Sequence, residues 1–284
     1  MHPMKRGHGV GRDSLLFTGI NLRAMVSPIE ATIIGVIQGV LEWLPVSSEG
    51  NLTLFLVSVI GLDPSETLGL AVFLHLGTGL AALLYYKQES WSILSGATER
   101  HREMRLRLFM MTGLTGAVGL PIYVYLNVST AVGEALLALT GLALIATGLM
   151  QKSKDVAGER DATSLSWPET LALGVLQGLA IIPGLSRSGI TTSAMLMRGL
   201  RSEEAFNLSF LMSIPASFAA GFGLMLIDGF QVTGGAVIAV VVSAVVGYAS
   251  ISALISYAEK TSFWKICVSL GALALLAWAP SLLL

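Results

Sequence analysis

The sequence predicts an all-α integral membrane protein built as an inverted-topology repeat, each half a re-entrant helical hairpin followed by three transmembrane helices. Three observations carry that prediction. Of 284 residues 54% are hydrophobic and 12% charged, with a mean hydropathy of +0.74, far too apolar for a chain that must cover itself in water. GVIQGVLEWLPVSSEGNLT, starting at Gly35, returns as GVLQGLAIIPGLSRSGITT, starting at Gly174: Gly35, Val36, Gln38, Gly39, Ser47, Gly50 and Thr53 match Gly174, Val175, Gln177, Gly178, Ser186, Gly189 and Thr192 at a constant offset of 139 residues. Lysine and arginine, finally, are concentrated in one set of connections and missing from the other.

Residues 1–27 read as an N-terminal tail without the apolar core of a secretory signal; Met25 is a candidate start, which would make the preceding residues dispensable. Repeat 1 covers 28–151. It opens with a hairpin over 28–60, broken at Leu44-Pro45, and continues with spans over 67–87, 106–126 and 131–151. A linker over 152–166 leads to repeat 2, 167–284, whose hairpin over 167–198 breaks at Pro183-Gly184 and whose spans are 204–228, 233–257 and 263–283. A spanning helix needs about 20 apolar residues, and no hairpin arm is that long. A bilayer tolerates such broken backbone only where protein buries it or a wet cavity lines it. Three spans after a hairpin that returns to its own side leave the second copy upside down relative to the first.

Charge placement gives the orientation. The segments 88–105, 152–166, 198–203 and 258–262, read as loops, carry Arg100, Arg102, Arg105, Lys152, Lys154, Arg160, Arg198, Arg201 and Lys260, whereas 61–66, 127–130 and 229–232 carry no Lys or Arg. By the positive-inside rule the first group is cytoplasmic. Hairpin one then enters from outside and hairpin two from the cytoplasm, with their tips meeting near mid-membrane, in a multi-pass protein of the cell membrane. Lys5, Arg6, Arg12 and Arg23 fall on the wrong side in this scheme, a second reason to set the tail apart. A net charge of −1 argues against nucleic-acid binding, a single Cys267 excludes an internal disulfide, and the lack of a Walker motif argues against ATP-driven transport.

Paired helix breaks of this kind point to a midplane binding site. Arg187, beside the second break, sits at a depth where an arginine costs about 2.5 kcal/mol or more unless paired or hydrated, and its planar fork suits phosphate. Ser186, Ser188, Thr191 and Thr192 add hydroxyls, and a helix starting near Ser188 would aim free N–H groups at the same anion. The alternative is an arginine that ties the broken helix to its carbonyls. In QGVLEWLPVSSEGN, Gln38 and Glu42 share one helical face. Glu42 can hold a divalent cation, act as acid or base, or pair with Arg187. Glu49 is a second candidate cation ligand, or a group facing water in an outer vestibule. Ser48 is a candidate nucleophile that needs a base, or, like Ser47, a serine of the kind common at helix breaks. Asn51 can orient a phosphate or water but is no proton acceptor. His75, in an apolar span, is a proton shuttle or a packing residue, and packing is the expectation.

These motifs resemble the bacitracin-resistance type undecaprenyl-diphosphate phosphatases. That family carries a first motif close to EGxTEFLPVSSxGH and a second close to PGxSRSGxT; here they stand as QGVLEWLPVSSEGN, 38–51, and PGLSRSGITT, 183–192, with LHLGT at 74–78. The resemblance implies an enzyme that removes the terminal phosphate of a C55 polyprenyl diphosphate at the outer membrane face with a divalent cation, Mg2+ or Ca2+. It makes Glu42 the second acidic residue of the first motif, Ser48 the proposed nucleophile, and Ser186, Arg187, Ser188 and Thr191 the phosphate-binding segment. Two departures stand out. Gln38 replaces the family's first Glu, leaving a carbonyl oxygen in its place, and Asn51 replaces the motif His, expected to be base or nucleophile. The catalytic set is therefore Glu42, Ser48 and Arg187, the substrate-binding set Gln38, Ser47, Asn51, Ser186, Ser188 and Thr191, and the metal set Glu42 and Glu49. The partners expected are a polyprenyl diphosphate lipid and the bilayer, with a homodimer left open. Transport of a polyprenyl phosphate, or binding without hydrolysis, is the competing reading that the missing His allows.

Overall fold

A computed structural model describes residues 27–62, 64–128, 130–152, 158–227, 230, 232–261 and 263–278. The tail before Ser27 and the five residues after Lys152 in the linker lie outside them. The described chain is helical: α1 (Pro28–Leu41), α2 (Ser48–Phe55, prolonged by a π-helical turn over Leu56–Ile60), α3 (Pro64–Tyr85), α4 (Lys87–Ser95), α5 (Glu99–Val128), α6 (Thr130–Lys152), α7 (Trp167–Leu179), α8 (Arg187–Met197), α9 (Ser202–Ile227), α10 (Gly234–Lys260) and α11 (Trp264–Trp278). Among the described residues four helices, α3, α5, α9 and α10, are long and apolar enough to cross a membrane. The other two expected spans are occupied by α6 and α11, which pack along each other. The segment 88–105, expected as a loop, is instead mostly helix: α4 and the first turns of α5.

Each expected hairpin is a pair of short helices around a break. Both first arms start in the same way. Ser27 and Ser166 accept from the backbone N–H of Glu30 and Glu169, whose carboxylates reach back to the cap, with a proline in the first turn. This satisfies donors that a helix start leaves free. Both second arms repeat a simpler device: the Ser47 and Ser186 hydroxyls accept from the Gly50 and Gly189 N–H groups, each at 3.1 Å.

The glycines of the repeat have a steric purpose. Helix α1 packs on α10 and α7 on α5. A Cβ at Gly35 would stand 2.6 Å from the Ala239 carbonyl and one at Gly39 2.9 Å from the Gly247 nitrogen. At the matching positions, Gly174 and Gly178 would clash with the carbonyls of Met111 at 2.8 Å and Thr115 at 2.9 Å. Small residues bring helix backbones together where lipid supplies no hydrophobic drive. Each half thus grips the other with its first arm. Helix α3, packed against both α9 and α10, is the interior element, whereas α5 and α10 expose Phe109, Tyr125, Val241 and Val245 as lipid-facing surface.

The broken backbone is satisfied from neighbouring helices. Pro45 O accepts from Gln151 Nε2 of α6 and from Cys267 Sγ of α11 at 3.4 Å, and Gly184 O accepts from Thr147 Oγ1 at 3.1 Å, which in turn accepts from Ser186 N at 3.1 Å. The two tips touch, since a Cβ on Gly50 would lie 2.7 Å from the Gly184 nitrogen.

The basic segments gather at one end. Arg160 donates to Glu169 at 3.2 Å and to Arg198 O at 2.7 Å, Arg201 pairs with Asp161 at 2.5 Å, and Glu204 accepts from Ala162 N at 2.9 Å. Hydrogen bonding to Arg160, the largest influence, holds Glu169 down at about 2.

Candidate active site

Both second arms begin at one polar pocket. Ser47, Ser48 and Glu49 at the start of α2, and Ser186, Arg187 and Ser188 at the start of α8, line it together with Glu42, Leu44, His75, Ala180 and Leu185. Two helix N-termini facing one space concentrate positive potential and N–H groups there.

Glu42, 5% exposed, is the hub. Its Oε2 accepts from Gln38 Nε2 at 2.9 Å and from Ser48 Oγ at 2.7 Å, and lies 3.5 Å from His75 Nε2; its Oε1 pairs with Arg187 Nη2. Arg187 also donates to Ser209 O at 3.3 Å and its guanidinium lies over the Phe210 ring, 5.8 Å from the centroid. A buried carboxylate is tolerable only with such partners. The ion pair is compatible with a catalytic role for Glu42, and anchoring with anion binding by Arg187, which pairs Glu42 and yet lines the open pocket.

The remaining site residues divide. Gln38, Ser48, Glu42 and Arg187 form one connected network, with Ser186 and Ser188 beside it, their hydroxyls 3.4 Å apart. Glu49 is 7% exposed and its Oε1 has no hydrogen-bond partner, so it is a buried group on the pocket wall, not a carboxylate in an open vestibule. Asn51 lies behind the pocket, donating to Val46 O at 2.6 Å and Ser47 O at 2.9 Å. Thr191 likewise faces the protein, bonded to Arg187 O and Ser209 Oγ at 2.7 Å each. His75, expected as packing, instead lines the pocket and touches the hub.

Among the described residues no group of three or more His, Cys, Asp and Glu side chains forms a cation cage. The pocket wall does offer an oxygen donor suited to a hard cation: Glu49 Oε1 is buried and unpartnered, whereas both oxygens of Glu42 are engaged and Gln38 lies outside the pocket lining.

A larger cavity of 310 Å³ shares Glu49, His75, Ala180 and Arg187 with the polar pocket and runs between α5 and α9, where Gly116, Gly119, Ala216, Ala220 and Gly223 form its wall. Cβ atoms at Gly116 and Gly223 would meet nothing within 4 Å, so these glycines leave width to the cavity. A charged pocket thus continues into an apolar chamber, the shape a headgroup with a hydrocarbon tail requires.

Comparison with known proteins agrees. A family model described as bacitracin resistance protein BacA matches residues 31–275. A protein of Haloarcula marismortui called undecaprenyl-diphosphatase is 41% identical over 256 residues, covering 86% of this chain and 94% of its own. Proteins of the same name from Methanococcoides burtonii, 37% identical over 266 residues, and Saccharolobus solfataricus, 30% over 260, cover 89% and 86% of this chain and 98% and 93% of their own.

Proposed function

The chain belongs to the bacitracin resistance protein family, and from that premise we propose that it is a membrane-embedded undecaprenyl-diphosphatase-type phosphatase, releasing inorganic phosphate from a polyprenyl diphosphate and leaving the lipid monophosphate. The observation that carries this reading is the convergence of two helix N-termini and Arg187 on a pocket where Ser48 Oγ donates to Glu42 at 2.7 Å. Arg187 and the N–H groups of α8 hold the terminal phosphate and stabilise the charge it spreads over its oxygens during transfer. Glu42 orients the attacking group, Ser48 or a water beside it. The prenyl chain occupies the apolar cavity between α5 and α9 and continues into lipid. A bound Mg2+ or Ca2+ would neutralise diphosphate charge, and Glu49, on the pocket wall with an unpartnered Oε1, would hold it.

In this reading the halves are inverted repeats and their first segments re-entrant hairpins. The support is the reciprocal packing of α1 on α10 and α7 on α5, and the clustering of the basic segments at one end. That end is cytoplasmic, and the pocket opens to the outer face. Transport of the lipid phosphate is the second reading, and it draws on the same reciprocal packing, common in alternating-access carriers.

The test is phosphate release by purified protein from farnesyl and undecaprenyl diphosphate with Mg2+ or Ca2+, beside a translocation assay in liposomes. Release by the wild type and its loss in Glu42→Ala and Arg187→Ala are expected. Translocation without release by folded, lipid-binding protein would replace the hydrolase with a carrier.

A further inference from the structure

We propose that His75 is the proton acceptor of this site, taking the part that the family resemblance gives to a histidine at the position of Asn51; the inference rests on the phosphatase reading. Asn51 cannot play that part. Its amide offers no basic lone pair, and both of its described contacts are donated to backbone carbonyls behind the pocket. His75 reaches the pocket from a different element, α3, 24 residues further along the chain (75 − 51).

Geometry then fixes what the ring can do. His75 Nδ1 lies 2.9 Å from Ala71 O. A carbonyl only accepts, so Nδ1 carries the hydrogen and Nε2 of the neutral ring presents a bare lone pair. Nε2 stands 3.5 Å from Glu42 Oε2, the same oxygen that receives the Ser48 hydroxyl at 2.7 Å. A lone pair against a carboxylate oxygen is repulsive until a proton arrives between them. Once one does, the carboxylate stabilises the imidazolium, as the aspartate does in a Ser-His-Asp triad. Glu42 itself is a weak acceptor, because Arg187, Gln38 and Ser48 already donate to it. The charged groups that face His75 in the two cavities are Glu42 just beyond α1, Glu49 from α2 and Arg187 from α8; α5, α7 and α9 add none to the cavity walls.

As the oxygen of Ser48 or of water bonds to the terminal phosphorus, its proton passes to Nε2. The bridging P–O bond breaks and its electron pair leaves on the lipid monophosphate, which needs no proton at neutral pH. Where Ser48 attacks, the imidazolium first releases its proton to solvent; water then attacks the phosphoserine phosphorus, its proton passing to Nε2 and on to Ser48 Oγ as the P–Oγ bond breaks and inorganic phosphate leaves.

The experiment measures kcat and KM for full-length wild type, His75→Gln and His75→Ala, with lipid binding as the check on folding. General-base loss predicts a fall in kcat of about 100-fold or more in His75→Gln with KM within about threefold, and imidazole added to His75→Ala should raise its rate. A folded His75→Gln protein with wild-type kcat overturns the proposal, as does a His75→Ala rate that imidazole leaves unchanged. If the wild type itself releases no phosphate, the phosphatase reading fails first.

Discussion

The two hairpins share a frame and divide the chemistry. At the 139-residue offset Ser47 and Ser186 make the same capping hydrogen bond, and Gly39 and Gly178 seat their arms on opposite halves. Glu42, however, corresponds to Ile181, Ser48 to Arg187 and Glu49 to Ser188 (42, 48 and 49 plus 139). The first hairpin contributes the carboxylates and the candidate nucleophile, and the second contributes Arg187, the candidate phosphate-binding cation. The two helix N-termini face one pocket with different side chains, so a single half holds only part of the candidate site.

The largest test of that division is Arg187→Ala, expected to lower kcat by about 1,000-fold and also to destabilise, because Glu42 is left buried and unpaired. Glu42→Gln added to it should restore thermal stability and leave activity lost. If the double variant were active, the division of labour would be wrong. Next come Gly39→Leu and Gly178→Leu, which should each destabilise by about 1–3 kcal/mol or more through overpacking. Similar losses of midpoint in thermal unfolding in lipid nanodiscs are expected, and a loss in only one would break the equivalence of the frames.

A smaller contrast lies in the caps. Ser47 has φ 61° whereas Ser186 has φ −67°. Ser47→Gly exchanges a cap hydroxyl for relief of a left-handed backbone whose strain is about 1–3 kcal/mol, and should be neutral or stabilising in the same melts; Ser186→Gly, with no strain to relieve, should lose a few tenths of a kcal/mol. The smallest is a pH effect. Hydrogen bonds to the Ser27 backbone lower Glu30 below 4.5, and Arg160 takes Glu169 lower, to about 2. Depressed carboxyls contribute stability above 4.5 that is lost as pH falls through their folded values. Hydrogen exchange of first-turn amides should therefore open α1 before α7 as pH drops from 5 towards about 2, and Arg160→Ala should shrink the gap.

Much of this was legible in the sequence because it follows from local pattern. The breaks at Pro45 and Pro183-Gly184, the helical arms and the pairing of Glu42 with Arg187, one of the readings offered for Glu42, follow from residue type and spacing. What was illegible depends on packing between distant helices. His75 was expected as packing since nothing in FLHLGTGL ties it to a residue 33 positions earlier (75 − 42). Nor did spacing indicate that Asn51 serves backbone carbonyls, that Gln151, Thr147 and Cys267 satisfy the broken strands of chain at the tips, or that Arg107 joins α5 to α7 through Thr170 at 2.6 Å. The segment 88–105 was read as a loop because its charge hid two helical stretches.

The reciprocal grip of the halves also has a consequence during synthesis. Trp43 donates to Gly247 O at 3.1 Å across 204 residues of chain, so the surface that receives α1 is made late. At about 5–20 residues per second the ribosome needs roughly 10–40 s to deliver it. For that interval the first hairpin sits in the bilayer without its lasting neighbour, its glycine face open to lipid or to a membrane insertase. Truncations that end before α10 should accordingly be degraded by membrane quality control, and the yield of intact protein should respond to translation speed over the last fifth of the message more than over the first.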